Sequence, residues 1–198
     1  MHLSDRELWD AARQGDASSF GTLFDRHARA IYNFCFRRCG DWAVAEDLTS
    51  VVFLEAWRGR SIYLENETAL PWLYGIAVNV TRSQRRSLRR YHAALDRLPP
   101  PDNVPDQAEA VVGREDDEDR MREVLVAIRQ LPPREQDVIA LVAWEGLTYE
   151  EVSVALGIPV GTVRSRLSRG RHRLQELIDR SGHKTSRDID LNLREEHL

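Results

Sequence analysis

The chain has 198 residues, 28 of them basic and 32 acidic, for a formal net charge of −4. No run approaches 18 apolar residues, and the start MHLSDRELWD lacks an apolar core, so neither a membrane span nor a secretory leader is expected. With only Cys35 and Cys39 there is no disulfide framework, and a reducing cytoplasm is the expected compartment.

In chain order, the first hundred residues read as amphipathic helices. Phe20, Leu23, Phe24, Ile31, Phe34 and Cys35 recur at helical spacing, followed by Leu48, Val52, Phe53, Ala56 and Trp57. A polar loop from Gly59 to Thr68 precedes a third helix, which opens at Pro71 and carries Trp72, Leu73, Ile76, Ala77 and Val80. Residues 96–119 are proline-rich and acidic, the composition of a flexible linker; fully stretched, such a segment reaches roughly 80 Å. A second helical unit begins near Arg120 and continues past Pro132-Pro133 with Val138, Ile139, Leu141 and Val142. Sustained strand alternation is missing from the pattern. The expected fold is all-α: a domain over 1–95, the linker 96–119, a second domain over 120–180 and a polar, frayed tail over 181–198.

Charge is segregated along this plan. Residues 71–90 hold five arginines and no acid, as do residues 160–173, and nine acids crowd residues 99–125 between them. Lys184 is the only lysine. Arginine suits planar, bidentate recognition of phosphates and guanine edges, so two acid-free arginine stripes point to interaction surfaces.

The second stripe lies in the run LTYEEVSVALGIPVGTVRSRLSRGRHRL, Leu147 to Leu174. Thr148 and Glu151 form a capping box, Gly157 stands where a left-handed turn is needed, and Pro159 opens a second helix. Val163, Leu167 and Leu174 face inward; Arg164, Ser165, Ser168, Arg169, Arg171 and His172 face outward. This is a helix-turn-helix whose second helix suits the major groove. In the first unit, Trp72, Tyr74 and Tyr63 either stack on unpaired bases or belong to the core, and composition favours the core for Trp72 and Leu73. Asn79 has the chemistry to bond a base edge. The acids Glu46, Asp47 and Glu55 fall opposite Phe53 and Trp57, on a face suited to a basic or helical partner.

Taken together, AEDLTSVVFLEAW, PWLYGIAVN, the linker and LPPREQDVIALVAWEGLTYEEVSVALGIPVGTVRSRLSRGRHRL resemble an extracytoplasmic-function sigma factor of bacterial RNA polymerase over about residues 8–178. The resemblance implies sigma region 2 in the first domain and region 4 in the second, without region 3. It implies a non-enzymatic subunit, monomeric in the holoenzyme, that binds the polymerase core at the β′ clamp helices and β flap, and promoter DNA. Core contacts would fall to Asp47, Leu48, Thr49 and Phe53. The −10 element would be captured by Ile62 and Tyr63 in the loop around Ile62–Glu67, with Asn79, Arg82, Arg85 and Arg86. The −35 element would be read by Thr162, Arg164, Ser165, Ser168, Arg169 and Arg171. Many members have Gln-Glu where Ser50-Val51 stand here, so the polar part of the core contact differs. The resemblance also makes an anti-sigma partner an expectation, one that would hold part of the protein at the inner membrane face if it were membrane-bound.

Other chemistry is poorly supported. Cys35 and Cys39 lie four residues apart with His27 two turns earlier, too few ligands for zinc, and Cys35 sits on the apolar face. Phosphate-loop, dinucleotide and metalloprotease motifs are missing, so no cofactor is expected. The competing readings are a stand-alone dimeric helix-turn-helix regulator and a helical adaptor that acts through protein contacts alone.

Overall fold

The computed structural model describes residues 3–61, 68–95 and 126–195. Every regular element among them is helical: α1 Asp5–Arg13, α2 Ala17–Cys39, α3 Trp42–Arg58, α4 Leu70–Leu95, α5 Pro133–Ile139, α6 Tyr149–Leu156 and α7 Val160–Glu195. A short helical stretch at 126–130 precedes α5, which runs directly into a π turn, Ala140–Trp144. Contacts divide the chain into two compact units, Met1–Val104 with Glu145–Val160, and Pro105–Trp144 with Gly161–Leu198. The linker 96–119, Ile62 and Tyr63 lie outside the described residues.

Local signals account for the helix boundaries. Ser4 and Glu7 close a reciprocal capping box on α1, Asp16 accepts from the Ser18 N–H at 2.9 Å on α2, and Asp41 accepts from the Val44 N–H at 2.9 Å on α3. Gly40 ends α2 at φ 75°, a left-handed conformation that costs a β-carbon more than it costs glycine. In the second unit, Pro133 opens α5 at a position where its missing N–H is no loss. Helix α7 does not stop near Ser181; it continues through Glu195, so the expected frayed tail is a continuation of the helix.

The first unit packs α1 to α4 around Trp9, Leu23, Ile31, Phe34, Val52, Leu73 and Val78. Several of its aromatic rings meet edge-on or tilted: Trp9 with Trp72 at 4.7 Å, Phe24 with Phe53 at 4.7 Å and Phe20 with Trp57 at 5.1 Å. Helix α6 belongs to this unit and lies on α4. A β-carbon on Gly75 would sit 2.2 Å from the carbonyl oxygen of Ala155, so only glycine fits that approach. Beside it, Tyr74 donates to Glu145 at 2.7 Å and Arg37 pairs with the same carboxylate. Burial, reinforced by that bond to Glu145, pushes the Tyr74 hydroxyl pKa up.

A buried carboxylate joins three parts of the bundle. Asp5, on α1, takes the His27 Nε2 contact at 2.6 Å, the Ala69 N–H at 3.0 Å, the Thr68 hydroxyl at 3.2 Å and a pairing with Arg26. Burial alone would raise its pKa. The His27 and Ala69 bonds, the His27 charge and the Arg26 bond outweigh it and hold the carboxyl far below the usual range.

In the second unit α7 passes close to α5 at Gly170, where a β-carbon would lie 2.8 Å from Ile139 Cδ1. Arg173 pairs with Glu135 at 2.5 Å, and the buried Gln136 side chain donates to the carbonyls of Leu131 at 2.6 Å and Arg129 at 3.0 Å. No helix among the described residues is long and apolar enough to cross a membrane.

Because its folded-state pKa is depressed, the Asp5 carboxylate stabilises the fold fully above its unfolded pKa of about 4 and progressively less below it. Asp5→Asn is expected to cost about 2–3 kcal/mol at neutral pH. Urea unfolding from pH 7 to 2 should show that gap holding to about pH 4 and closing below it.

Candidate nucleic-acid interface

The cap, turn and helices of the 147–174 run each form as their residues dictate. Thr148 Oγ1 accepts from the Glu151 N–H at 3.2 Å, and Glu151 Oε2 accepts in return from the Thr148 N–H at 2.8 Å, so α6 begins at a closed capping box. Gly157 ends it at φ 61°, ψ 40°. Ser153 donates its hydroxyl to the Ile158 carbonyl at 2.6 Å, which ties the end of α6 to the turn that follows. On α7, Val163 and Leu167 are buried and Leu174 is half-buried, whereas Arg164, Ser165, Ser168, Arg169, Arg171 and His172 are all exposed. Thr162 is half-buried. The −35 candidates other than Thr162 therefore share one solvent face, with the apolar residues on the other.

A second feature of this helix escaped sequence reasoning. Thr162, Arg166 and Arg169 stand at spacings of four and three on the shoulder of α7 and, with Arg134 and Glu135 of α5, line a cleft of 480 Å³. Three arginines line it with one acid, and the acid is engaged by Arg173. Arg134 and Arg166 gave no separate signal in the sequence, because their relation comes from α5 meeting α7.

On the first unit, α3 and α4 enclose a groove of 710 Å³ with Leu48, Val51, Trp72, Ile76 and Val80 among its apolar lining. Asn79, Ser83, Ser87 and Arg90 line the same groove at helical spacing, so an amide, two hydroxyls and a guanidinium face one channel with the Trp72 ring. Asn79 is exposed and Trp72 half-buried. The other −10 candidates are not gathered there: Arg82 and Arg85 are half-buried, and Arg86 is exposed outside the groove lining. Tyr74, one of the rings considered for base stacking, is buried against Phe34 with its hydroxyl on Glu145, so it serves the core.

The candidate core-binding residues separate more sharply. Asp47 is exposed, but Leu48, Thr49 and Phe53 are buried; Thr49 donates to the Ala45 carbonyl at 2.7 Å, and Phe53 packs on Phe24. Thr49 and Phe53 shape the helix from inside, and Leu48 reaches only the floor of the groove shared with α4. The solvent face of α3 includes instead Glu46, Asp47, Ser50, Val51, Leu54 and Glu55. Among the described residues no group of His, Cys, Asp and Glu could hold a metal ion, and burial pushes the Cys35 thiol up to about 12, away from reactivity.

Two family models match this chain, "Sigma-70 region 2" at residues 23–91 and "Sigma-70, region 4" at residues 121–174. The RNA polymerase sigma factor CarQ of Myxococcus xanthus is 33% identical over 84% of this chain and 92% of its own length. The chain belongs to the sigma-70 family, in its ECF subfamily. SigL of Mycobacterium tuberculosis, an ECF sigma factor, is 31% identical over 79% of this chain and 86% of that protein. Among solved structures, the sigma factor RpoE from Bartonella quintana, in complex with the anti-sigma factor NepR, aligns with TM-score 0.60 and 25% identity over 82% of this chain and 98% of that one. CnrH, in complex with the cytosolic domain of CnrY, shares the fold at TM-score 0.62 over 88% of this chain and 97% of its own.

This sigma factor is thus a transcription initiation factor and not an enzyme, and its matched regions contain both candidate surfaces. The α3–α4 groove falls in region 2, and the α7 face and its arginine cleft fall in region 4. The turn between α6 and α7 offers a direct check. A β-carbon at Gly157 meets nothing within 4 Å, so Gly157→Ala carries backbone strain and no clash. Thermal unfolding should show a loss of about 1 kcal/mol for alanine and a smaller loss for Gly157→Asn, whose side chain tolerates the left-handed region.

Proposed function

We propose that this sigma factor docks on the RNA polymerase core through region 2, reads the −35 element with α7, and captures and opens the −10 region with α4 and the loop before it. One observation carries the reading: between Val160 and Arg173 the helix following the Gly157 turn turns every polar side chain except Thr162, Arg166 and Arg173 onto one exposed face, without an acid among them. Arginine forks and serine hydroxyls on such a face match base edges and phosphates of duplex DNA. We assign region 2 to residues 1–95 and region 4 to 120–180, joined by the acidic segment 96–119. That segment is long enough to let the two readers stand about two helical turns of DNA apart.

Within this reading the contacts sort by type. Arg164, Ser165, Ser168 and Arg171 address bases or the flanking strand. Arg134, Arg166 and Arg169, with Thr162, make a phosphate seat beside the groove. At −10, an extruded base meets Trp72 and Asn79 in the α3–α4 groove, helped by Ile62 and Tyr63, while Arg82, Arg85 and Arg86 supply positive potential along the strand. Core docking falls to the acidic and apolar outer face of α3, led by Asp47 with Glu46, Val51 and Leu54. The protein works as a monomer within a cytoplasmic holoenzyme. Because RpoE is in complex with the anti-sigma factor NepR in its solved structure, an anti-sigma partner is proposed here too, and a membrane-bound one would bring part of the pool to the inner membrane face.

The test is holoenzyme binding to −35 duplexes across a salt series. Arg164→Ala should lose about 10-fold or more of its discrimination between cognate and altered −35 sequences. Arg134→Ala and Arg166→Ala should weaken all sequences alike and lower the slope of log K against log salt by about 1 each. Unchanged promoter choice by the Arg164 variant would contradict the assignment of α7 as the reader.

A further inference from the structure

Helix α1 lies upstream of the matched region 2 segment, which begins at residue 23, yet it places a carboxylate at the start of α4. Helix N-termini carry unpaired N–H groups and a positive end of the dipole, and a capping group normally comes from the residue just before the helix. At α4 the arrangement has two layers. Thr68 Oγ1 accepts from the Leu70 N–H at 3.3 Å, and Asp5 Oδ2, from another helix, accepts from both the Thr68 hydroxyl at 3.2 Å and the Ala69 N–H at 3.0 Å. The same Oδ2 meets His27 Nε2 at 2.6 Å, and Oδ1 pairs with Arg26, so α2 holds the carboxylate in place. Asp5, His27 and Ala69 are all buried, whereas Thr68 is half-buried at the edge of the cluster.

We propose that Asp5 is a positioning residue for −10 capture: from α1 it caps α4 across the bundle and thereby sets the entry geometry of the helix whose next turns carry Trp72 and Asn79 into the α3–α4 groove. The inference rests on the −10 reading given above. Trp72 is one turn past the capped N–H groups and also touches Trp9 of α1 at 4.7 Å, so α1 grips this end of α4 twice, once by charge and once by ring contact. A single-stranded base in the groove needs Trp72 and Asn79 held at fixed spacing, since a displacement of about 1 Å is enough to lose a well-aligned polar contact. Asp5 and Thr68 themselves lie outside α3 and α7, so a change at this cap is expected to act first on capture at −10.

The experiment uses full-length chain reconstituted with polymerase core, at a temperature where each variant is folded. Fluorescence anisotropy follows binding of a non-template −10 oligonucleotide with each base of the element varied, alongside core binding and −35 duplex binding. Asp5→Asn and Thr68→Val are expected to weaken −10 strand binding about tenfold and to flatten base preference at the captured position, with core and −35 binding within about twofold of wild type. Thr68→Ser, which keeps the hydroxyl, should restore both strength and preference. Wild-type −10 affinity and base preference in Thr68→Val and Asp5→Asn would overturn the proposal, as would equal losses in core and −10 binding without rescue by serine. If the wild-type holoenzyme itself showed no base preference for the −10 strand, the −10 reading would fall, and this inference with it.

Discussion

A carboxylate removed from water must be surrounded by donors, and Asp5 meets that demand with groups from two distant places in the chain. His27 and Arg26 come from α2, and Thr68 and Ala69 from the entry to α4, while Asp5 itself rides on α1. These partners are 21 to 64 residues away from Asp5 in sequence, so the cluster constrains topology in a way that the apolar core alone does not. Hydrophobic contacts among Trp9, Phe20, Phe34 and Leu73 tolerate small slides of one helix along another. A hydrogen-bonded charge does not. The region 2 bundle is therefore an apolar assembly pinned by a buried polar cluster at the start of α4.

The distribution of charge explains how an acidic protein addresses DNA. The net charge of −4 would repel a polyanion if it were spread evenly, but arginines are gathered on two helices that lack acids over their reading stretches. On α7 the acid-free stretch ends at Glu176, and the one carboxylate in the neighbouring cleft, Glu135, is paired with Arg173. Meanwhile the acids of α3 are exposed beside Val51 and Leu54, a surface of opposite character suited to a protein partner. In the proposed reading, one small chain thus carries an acidic face for protein and arginine-rich faces for nucleic acid.

Much of this was legible from residues alone where the signal is local. The Thr148–Glu151 box, the Gly157 turn and the polar face of α7 depend on spacings within one helix or its cap, and all formed as read. Helix α1 was overlooked, although Ser4 and Glu7 carry the same box, because its nine residues are too short to show a convincing apolar repeat. The resemblance points to Leu48, Thr49 and Phe53 through a motif, and a motif does not say which of its members look inward; burial does. Tyr74 was likewise ambiguous until Glu145, 71 residues later, supplied its partner. Arg134 and Arg166 became a pair only through the packing of α5 against α7. For Tyr74, Arg134 and Arg166, what the sequence does not show is a relation between distant segments.

The most direct measurement of the central claim is transcription reconstituted from genomic DNA with purified core polymerase, with and without this chain, and the RNA 5′ ends mapped. The account predicts that adding the chain creates new start sites preceded by a shared pair of short sequence elements about two helical turns apart. RNA starting at the same places with and without the protein, or a chain that fails to co-elute with core enzyme, would contradict it.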